Sequence, residues 1–287
     1  MPARSSPTVK RRRLAAELRR YREGAGLTIE EVAERLEWST AKISRIENAR
    51  VSVLPRDVKF LLGVYGLTGS DEAWDVLLTL ARESRQKGWW QQYGEAVPEW
   101  LEVYVGLEAD AAAIWGYDAE FVPGLLQTEE YARAVHRAQL VMATDEEIDR
   151  LVRVRMARQE LLTADDAPQL WFVLNEAVIR RVVGGVATMR GQLRHLLEAA
   201  RLPNVTLQVV PFSAGAHPAM DGSFYLLTFP EPADPQIVYF EYYTGALYLE
   251  KSAEVQRYRL MFDHLRAAAQ SVDESRARMA RAAEELS

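Results

Sequence analysis

Few side chains in this sequence can do covalent or metal chemistry. The 287 residues include no cysteine and four histidines, at positions 136, 195, 217 and 264. A disulfide framework, a thiolate nucleophile and a Cys-ligated metal are therefore excluded. The histidines have no metal-ligand spacing, and there is no His-Glu-x-x-His, no Gly-x-Ser-x-Gly and no glycine-rich phosphate loop. His217, in Gly215-Ala216-His217-Pro218, reads either as the lining of a pocket or as a residue that shapes its own loop. Glu108 and Glu176 stand beside apolar segments and read as buried hydrogen-bonding carboxylates in preference to catalysts. The expectation is a protein that is not an enzyme and needs no cofactor or metal.

The charges point elsewhere. The whole chain carries 35 basic and 41 acidic residues, a net of −6. Residues 1–50 alone hold 12 Lys and Arg against 7 acids, a net of +5, which leaves 23 against 34, or −11, for the rest. A split of this kind implies a polyanion partner for one end only. The basic end contains Lys10-Arg11-Arg12-Arg13, read either as an arm that follows a nucleic-acid backbone or enters a minor groove, or as a solvated helix start.

Five helices are expected to position these charges. Residues 1–13 read as a flexible basic arm. Leu14, Leu18 and Tyr21 repeat at helical spacing up to Gly24 and Gly26. Thr28 with Glu31 forms a capping-box pattern for a helix over 28–36, and Ser39 caps a third to about Asn48. Pro55 opens a fourth, and a fifth spans Asp71 to Lys87. Apolar residues at 32, 36, 43 and 46, with the small Ala33, let the second and third helices cross closely, which is a helix-turn-helix. A change of composition at Gly88-Trp89-Trp90 sets the domain boundary.

Residues 88–270 read as an α+β domain. Helices are expected at about 107–115, 127–140, 145–163, 188–201 and 251–270. Strands are expected at Leu170–Leu174, Val205–Val210, Phe224–Phe229, Ile237–Tyr242 and Ala246–Leu249, the last four as antiparallel neighbours across Gly/Pro/Asp turns. The fold class is thus an N-terminal all-α helix-turn-helix bundle plus a C-terminal α+β domain with a mainly antiparallel sheet. Residues 271–287 read as a loosely held polar tail. The aromatics Trp89, Trp90, Trp100 and Trp115, with Tyr93, Tyr104 and Tyr117, form either a core seam joining the domains or, with His217, the wall of an effector pocket. No apolar run is long enough to cross a membrane, so a cytoplasmic protein is expected.

Residues 14–65, above all Gly26-Leu27-Thr28 and Ile43-Ser44-Arg45-Ile46-Glu47-Asn48, resemble the Cro/C1-type helix-turn-helix of phage repressors and bacterial regulators. The resemblance implies that the helix from Ser39 lies in a major groove. Arg45 would then read guanine through two hydrogen bonds, and Thr40 and Ala41 would meet a thymine methyl. Ser39 belongs to the same face, while Lys42, Ser44, Asn48 and Arg50 would contact phosphates. It also implies a structural pair of Arg22 and Glu47. The sequence departs from the pattern at Glu37, where the family favours Gly for a positive φ, and at Ile29, where it favours Gln.

The string Val122-Pro-Gly-Leu-Leu-Gln-Thr-Glu-Glu-Tyr-Ala-Arg-Ala134 is similar to the hallmark of Scr-type, antitoxin-like regulators of actinobacteria, which include WhiJ-like proteins. Other segments agree in order, from Tyr104–Glu108 to Tyr248–Glu250. This resemblance implies a DNA-binding transcriptional regulator whose C-terminal domain takes a regulatory input, often from a small neighbour-encoded partner protein. The expected partner is double-stranded DNA, bound by a homodimer on an inverted-repeat operator. The alternative is an antitoxin-like protein that mainly sequesters a small partner protein and binds DNA for autoregulation.

Overall fold

The computed structural model describes residues 7–86, 88–231 and 234–286. The chain divides into two compact units, Met1–Gln91 and Gln92–Ser287.

The first unit is a bundle of α1 (Pro7–Gly24), α2 (Ile29–Leu36), α3 (Thr40–Glu47), α4 (Pro55–Val64) and α5 (Glu72–Glu83). Each presents one apolar stripe to a shared core that includes Leu14, Leu18, Val32, Ile43, Leu62 and Leu77, the arrangement an amphipathic helix requires. Residues 7–13, expected in a flexible arm, are instead the first turns of α1. Pro7 is tolerated there because the first N–H groups of a helix need no intrahelical partner. Thr8 and Val9 are buried, and Lys10 pairs with Glu83 at 2.5 Å. Residues 1–6 lie outside the described residues.

The second unit is built on a six-stranded sheet in the order β3-β2-β1-β4-β5-β6. Its strands are β1 (Ala113–Asp118), β2 (Gln169–Asn175), β3 (Val205–Val210), β4 (Phe224–Thr228), β5 (Ile237–Tyr242) and β6 (Gly245–Leu249). Its helices are α6 (Glu99–Asp110), α7 (Glu129–Gln139), α8 (Asp145–Arg158), the short α9 (Glu176–Arg180), α10 (Val186–Ala199), α11 (Ser252–Ala268) and α12 (Val272–Glu285). Three of the five pairings are antiparallel, so the α+β class with a mainly antiparallel sheet holds. β1, β2 and β3 run parallel.

Three expectations give way. Residues 113–115, assigned to a helix, open the central strand β1: Ala-rich sequence has high helix propensity, and pairing on both edges overrides it. β3 is not a neighbour of β4. It pairs parallel with β2 after a crossover through α9 and α10, and parallel strands need such a crossover. The tail is not loose, because α12 packs against α10 and β3 with Ser275, Met279, Ala282 and Ala283 buried. Ser275 Oγ accepts from the Val209 N–H at 2.9 Å, so α12 satisfies part of the sheet's edge.

Strand alternation assigns the two faces. Trp115, Tyr117, Trp171, Phe224 and Phe240 share the face packed on Phe262 of α11. Phe172, Tyr225 and Tyr239 lie on the other, where Tyr104 of α6 stacks on Tyr239 with ring centroids 4.2 Å apart. Gly116 makes room between them: a Cβ there would stand 2.6 Å from the Tyr225 ring.

Candidate nucleic-acid interface

The helix-turn-helix begins at a closed capping box. The Glu31 carboxylate accepts from the Thr28 N–H at 2.8 Å, and Thr28 Oγ1 accepts from the Glu31 N–H at 3.2 Å. The turn after α2 takes its left-handed step at Glu37, with φ 54 and ψ 36. The Trp38 N–H then returns to the Ala33 carbonyl at 2.9 Å. Ser39 caps α3 by accepting from the Lys42 N–H at 3.2 Å. With Val32, Ala33, Ile43 and Ile46 buried between the helices, the orientation of α3 is set by packing.

A buried ion pair fixes its far end. Arg22 donates from Nε and Nη2 to the two carboxylate oxygens of Glu47, at 2.7 and 2.9 Å, and from Nη1 to the Leu27 carbonyl at 2.7 Å. Both residues are under 10% exposed. One guanidinium thereby ties α1, the entry to α2 and the end of α3 together, with the two-pronged geometry that carboxylates favour.

The exposed side of α3 carries Ser39, Thr40, Ala41, Arg45 and Asn48, with Arg50 just beyond it. Residues 41, 45 and 48 follow one another at the spacing of a single helix face. Among the described residues neither Arg45 nor Arg50 makes an ion pair. Lys42, expected on a phosphate, is half-buried and otherwise engaged: its Nζ lies 3.1 Å from Asp57 of α4 and 3.2 Å from the centroid of the Trp38 ring. Asn48 Nδ2 donates to the Ser44 carbonyl at 2.7 Å and to Ser44 Oγ at 3.3 Å, so this pair closes the end of α3. The role of Asp57 was not foreseeable from local sequence, because only the packing of α4 brings it to Lys42. Arg11, Arg12 and Arg13 are half-buried turns of α1. A helical segment of this kind is not an extended minor-groove arm.

Within the second unit, the residues considered for an effector pocket lie on different faces of the sheet. Trp115 stacks on Phe262 at 5.6 Å on the α11 face, where Tyr117 also meets His217. The Tyr117 hydroxyl lies 3.2 Å from His217 Nε2 and accepts from Asn175 Nδ2 at 3.1 Å. Trp100 belongs to α6 on the opposite face, its carbonyl accepting from the Tyr248 hydroxyl at 2.7 Å. Trp89 and Trp90 belong to the first unit, their rings in an edge-to-face contact at 6.1 Å. Strand alternation separates what proximity in sequence suggested. Glu108 is 2% exposed and accepts two hydrogen bonds from Arg158. Glu176 accepts from the Phe212 N–H and from Arg180 and Arg278.

The Val122–Thr128 string is a polar latch. Gln127 Nε2 donates to the Val122 carbonyl at 2.7 Å while Gln192 Nε2 donates to Leu126 and Gln192 Oε1 accepts from the Thr128 N–H. Gln159 Nε2 donates to the Gln127 carbonyl at 2.6 Å. Residues 101–281, more than half of the chain, match the family model described as "Domain of unknown function (DUF5753)". The chain belongs to the DUF5753 family. Residues 13–74 match a helix-turn-helix domain, the module of DNA-binding regulators. No curated protein matches the chain, and neither does any solved structure. Within the DUF5753 region and the rest of the described residues there is no cluster of His, Asp and Glu able to hold a metal, and no helix long and apolar enough to cross a membrane.

Proposed function

We propose that the protein is a sequence-specific transcriptional regulator that binds double-stranded DNA through α3, in the Cro/C1 manner, and receives its regulatory input through the DUF5753 region. The observation that carries this reading is Arg45, an exposed guanidinium without an ion-pair partner on a helix held at both ends by Ser39 and the Arg22–Glu47 pair. Arg45 reads guanine O6 and N7. Thr40 and Ala41 touch the neighbouring base edges, and Ser39, Ser44, Asn48 and Arg50 meet the backbone. Lys42 must leave Asp57 to reach a phosphate, so its share of the affinity is small. One module of this size buries little surface on DNA, and a homodimer on an inverted repeat with half-sites about one helical turn apart supplies the rest.

The test is fluorescence anisotropy on DNA from upstream of the gene. Arg45→Ala is expected to weaken binding by about 5- to 150-fold and to relax preference at one base pair, the effect of losing a bidentate arginine–guanine contact. Unchanged affinity and preference would refute the assignment of α3. A log–log salt slope near zero would refute backbone contacts altogether.

A second reading, an antitoxin-like grip on a small partner protein, is favoured by one feature. A cleft of about 500 Å³ is lined by Leu140, Met142, Leu151 and Tyr243 among others. Around it Val141 is 80% and Met142 93% exposed, as is 75% of Tyr243. Clustered exposed apolar side chains of this kind mark protein contacts. Copurification of a neighbour-encoded protein, lost in Met142→Asp, is the expected result of this reading.

A further inference from the structure

The DUF5753 region contains a guanidinium with no carboxylate paired to it. Arg155 and Arg158 stand three residues apart near the end of α8, and both bear on the Val122–Thr128 latch. Arg158 is 8% exposed and has its own carboxylate, with Nε and Nη2 donating to Glu108 at 2.8 and 2.7 Å. Arg155 has no such partner. Its Nη1 donates to the neutral Oε1 of Gln127 at 2.7 Å, and its buried Nε has no hydrogen-bond acceptor. Among the described residues no carboxylate comes within ion-pairing distance of it. Glu241 and Glu108 are both within its electrostatic reach, but Glu241 is exposed and accepts from the Tyr239 hydroxyl at 3.1 Å, and both oxygens of Glu108 are taken by Arg158.

One other unsatisfied atom lies within reach of Arg155. His136, 7% exposed and within the field of both arginines, leaves Nε2 unpartnered. Burial together with the two guanidinium charges keeps that imidazole neutral, its pKa lowered to about 3. Buried polar atoms are rarely left unmade, and an arginine is seldom taken from water without an anion. A guanidinium Nε and an imidazole Nε2 both left without partners call for a ligand, and although that Nε is enclosed, the Arg155 side chain as a whole is only half-buried.

We propose that Arg155 anchors a small-molecule site in the DUF5753 region and takes the carboxylate or phosphate group of a small organic ligand, with Gln127 holding its Nη1 and the Nε–Nη2 edge uncovered as the oxyanion enters. The comparison with Arg158 carries the assignment. Two guanidinium groups enter the interior from one helix, and the anion that one receives from Glu108 the other must receive from outside. A planar fork suits a carboxylate or a phosphate equally, so the chemistry of the ligand head is shared between the two. The site stands whether or not α3 binds DNA, and its test is read on the guanidinium itself.

The full chain, labelled with ¹⁵N arginine, would be titrated with sodium formate and separately with sodium phosphate, each against sodium chloride at equal ionic strength. One arginine Nε–H resonance, absent from the spectrum of Arg155→Gln, is expected to move saturably with at least one oxyanion and not with chloride. Formate alone would assign a carboxylate-bearing ligand, and phosphate alone a phosphate-bearing one. Arg155→Lys keeps the charge and loses the fork, and binding about fivefold weaker is expected from the lost hydrogen bond. No saturable shift in the unmodified protein with either oxyanion would overturn the proposal. So would saturable binding that is unchanged in a folded Arg155→Gln.

Discussion

Replacing Glu37 by glycine is expected to stabilise the DNA-binding domain, against the usual effect of glycine near a helix. Glu37 closes α2 with φ 54 and ψ 36, a conformation that costs a residue with a Cβ roughly 1–2 kcal/mol and costs glycine little. Glycine returns about 0.5–1 kcal/mol of that through the greater freedom of the unfolded chain. The net gain is about 0.5–1 kcal/mol. Nothing else of weight is removed, since the side chain is exposed and the Glu37 N–H bonds to Ala33 and Glu34 belong to the backbone. Glu37→Ala is the control: it deletes the same carboxylate and keeps the Cβ, so it retains the strain. Urea denaturation of the full chain, with hydrogen exchange of the α2 and α3 amides to localise the change, would compare the three. Glu37→Gly should exceed Glu37→Ala by about 1 kcal/mol in those amides, which in a thermal melt of a domain of this size corresponds to a midpoint rise of about 4–8 °C. If glycine gains nothing over alanine, left-handed strain at the turn is not what the sequence is tolerating.

Three other outcomes follow from buried polar groups. Glu47→Ala leaves the Arg22 guanidinium buried without its carboxylate and is expected to cost about 3–5 kcal/mol, measured by urea denaturation; a loss below 1 kcal/mol would mean the pair is not buried as described. Ser275→Ala strips the Val209 N–H of its acceptor on the edge of the sheet and should cost about 1–3 kcal/mol, read as faster exchange at Val209 with α12 still helical. Burial pushes the Asp118 carboxyl from 3.8 up to about 7, against the opposing hydrogen bond from Tyr225. The folded state therefore holds this proton more tightly than the unfolded chain, so the contribution of Asp118 to stability falls as pH rises from about 4 to about 7 and is flat above it. Asp118→Asn removes that slope and gains, at pH 8 relative to pH 4, at most about 4 kcal/mol over the unmodified chain; parallel stability–pH curves for the two proteins would refute it.

The first unit was legible because its signals are local. A capping box, a serine cap and an apolar pattern at 32, 36, 43 and 46 each act within a few residues, and the helices stand where those signals put them. The start of α1 is hidden for a related reason: four successive basic residues look solvated, and nothing nearby in sequence announces Glu83 for Lys10 or the burial of Thr8 and Val9. In the second unit five of the six strands are visible in the sequence, while β1 and the order of the sheet are not. Ala113–Asp118 has a short apolar run that fits helix or strand equally. Its place at the centre of the sheet depends on partners more than fifty residues away. The alternation of strand and helix from β1 to β3 is the available sign of parallel pairing, and the helical pattern that runs on to about residue 115 obscures it.

The two arginines of α8 show the limit of charge patterning most directly. On a helix that reads Asp145-Glu-Glu-Ile-Asp-Arg-Leu-Val-Arg-Val-Arg-Met-Ala-Arg158, every arginine looks like a solvated, salt-bridging surface group. Yet Arg153 is exposed, Arg155 half-buried and Arg158 buried. What distinguishes them is neither residue type nor spacing but the partner the rest of the chain supplies: Glu108, fifty residues upstream, for Arg158, and only the neutral amide of Gln127 for Arg155. A buried charge with a matched partner belongs to the architecture, whereas one without it is an unfinished interaction. That difference separates the two candidate roles in this domain and makes Arg155, among the four basic residues of α8, the one whose chemistry is open to a ligand.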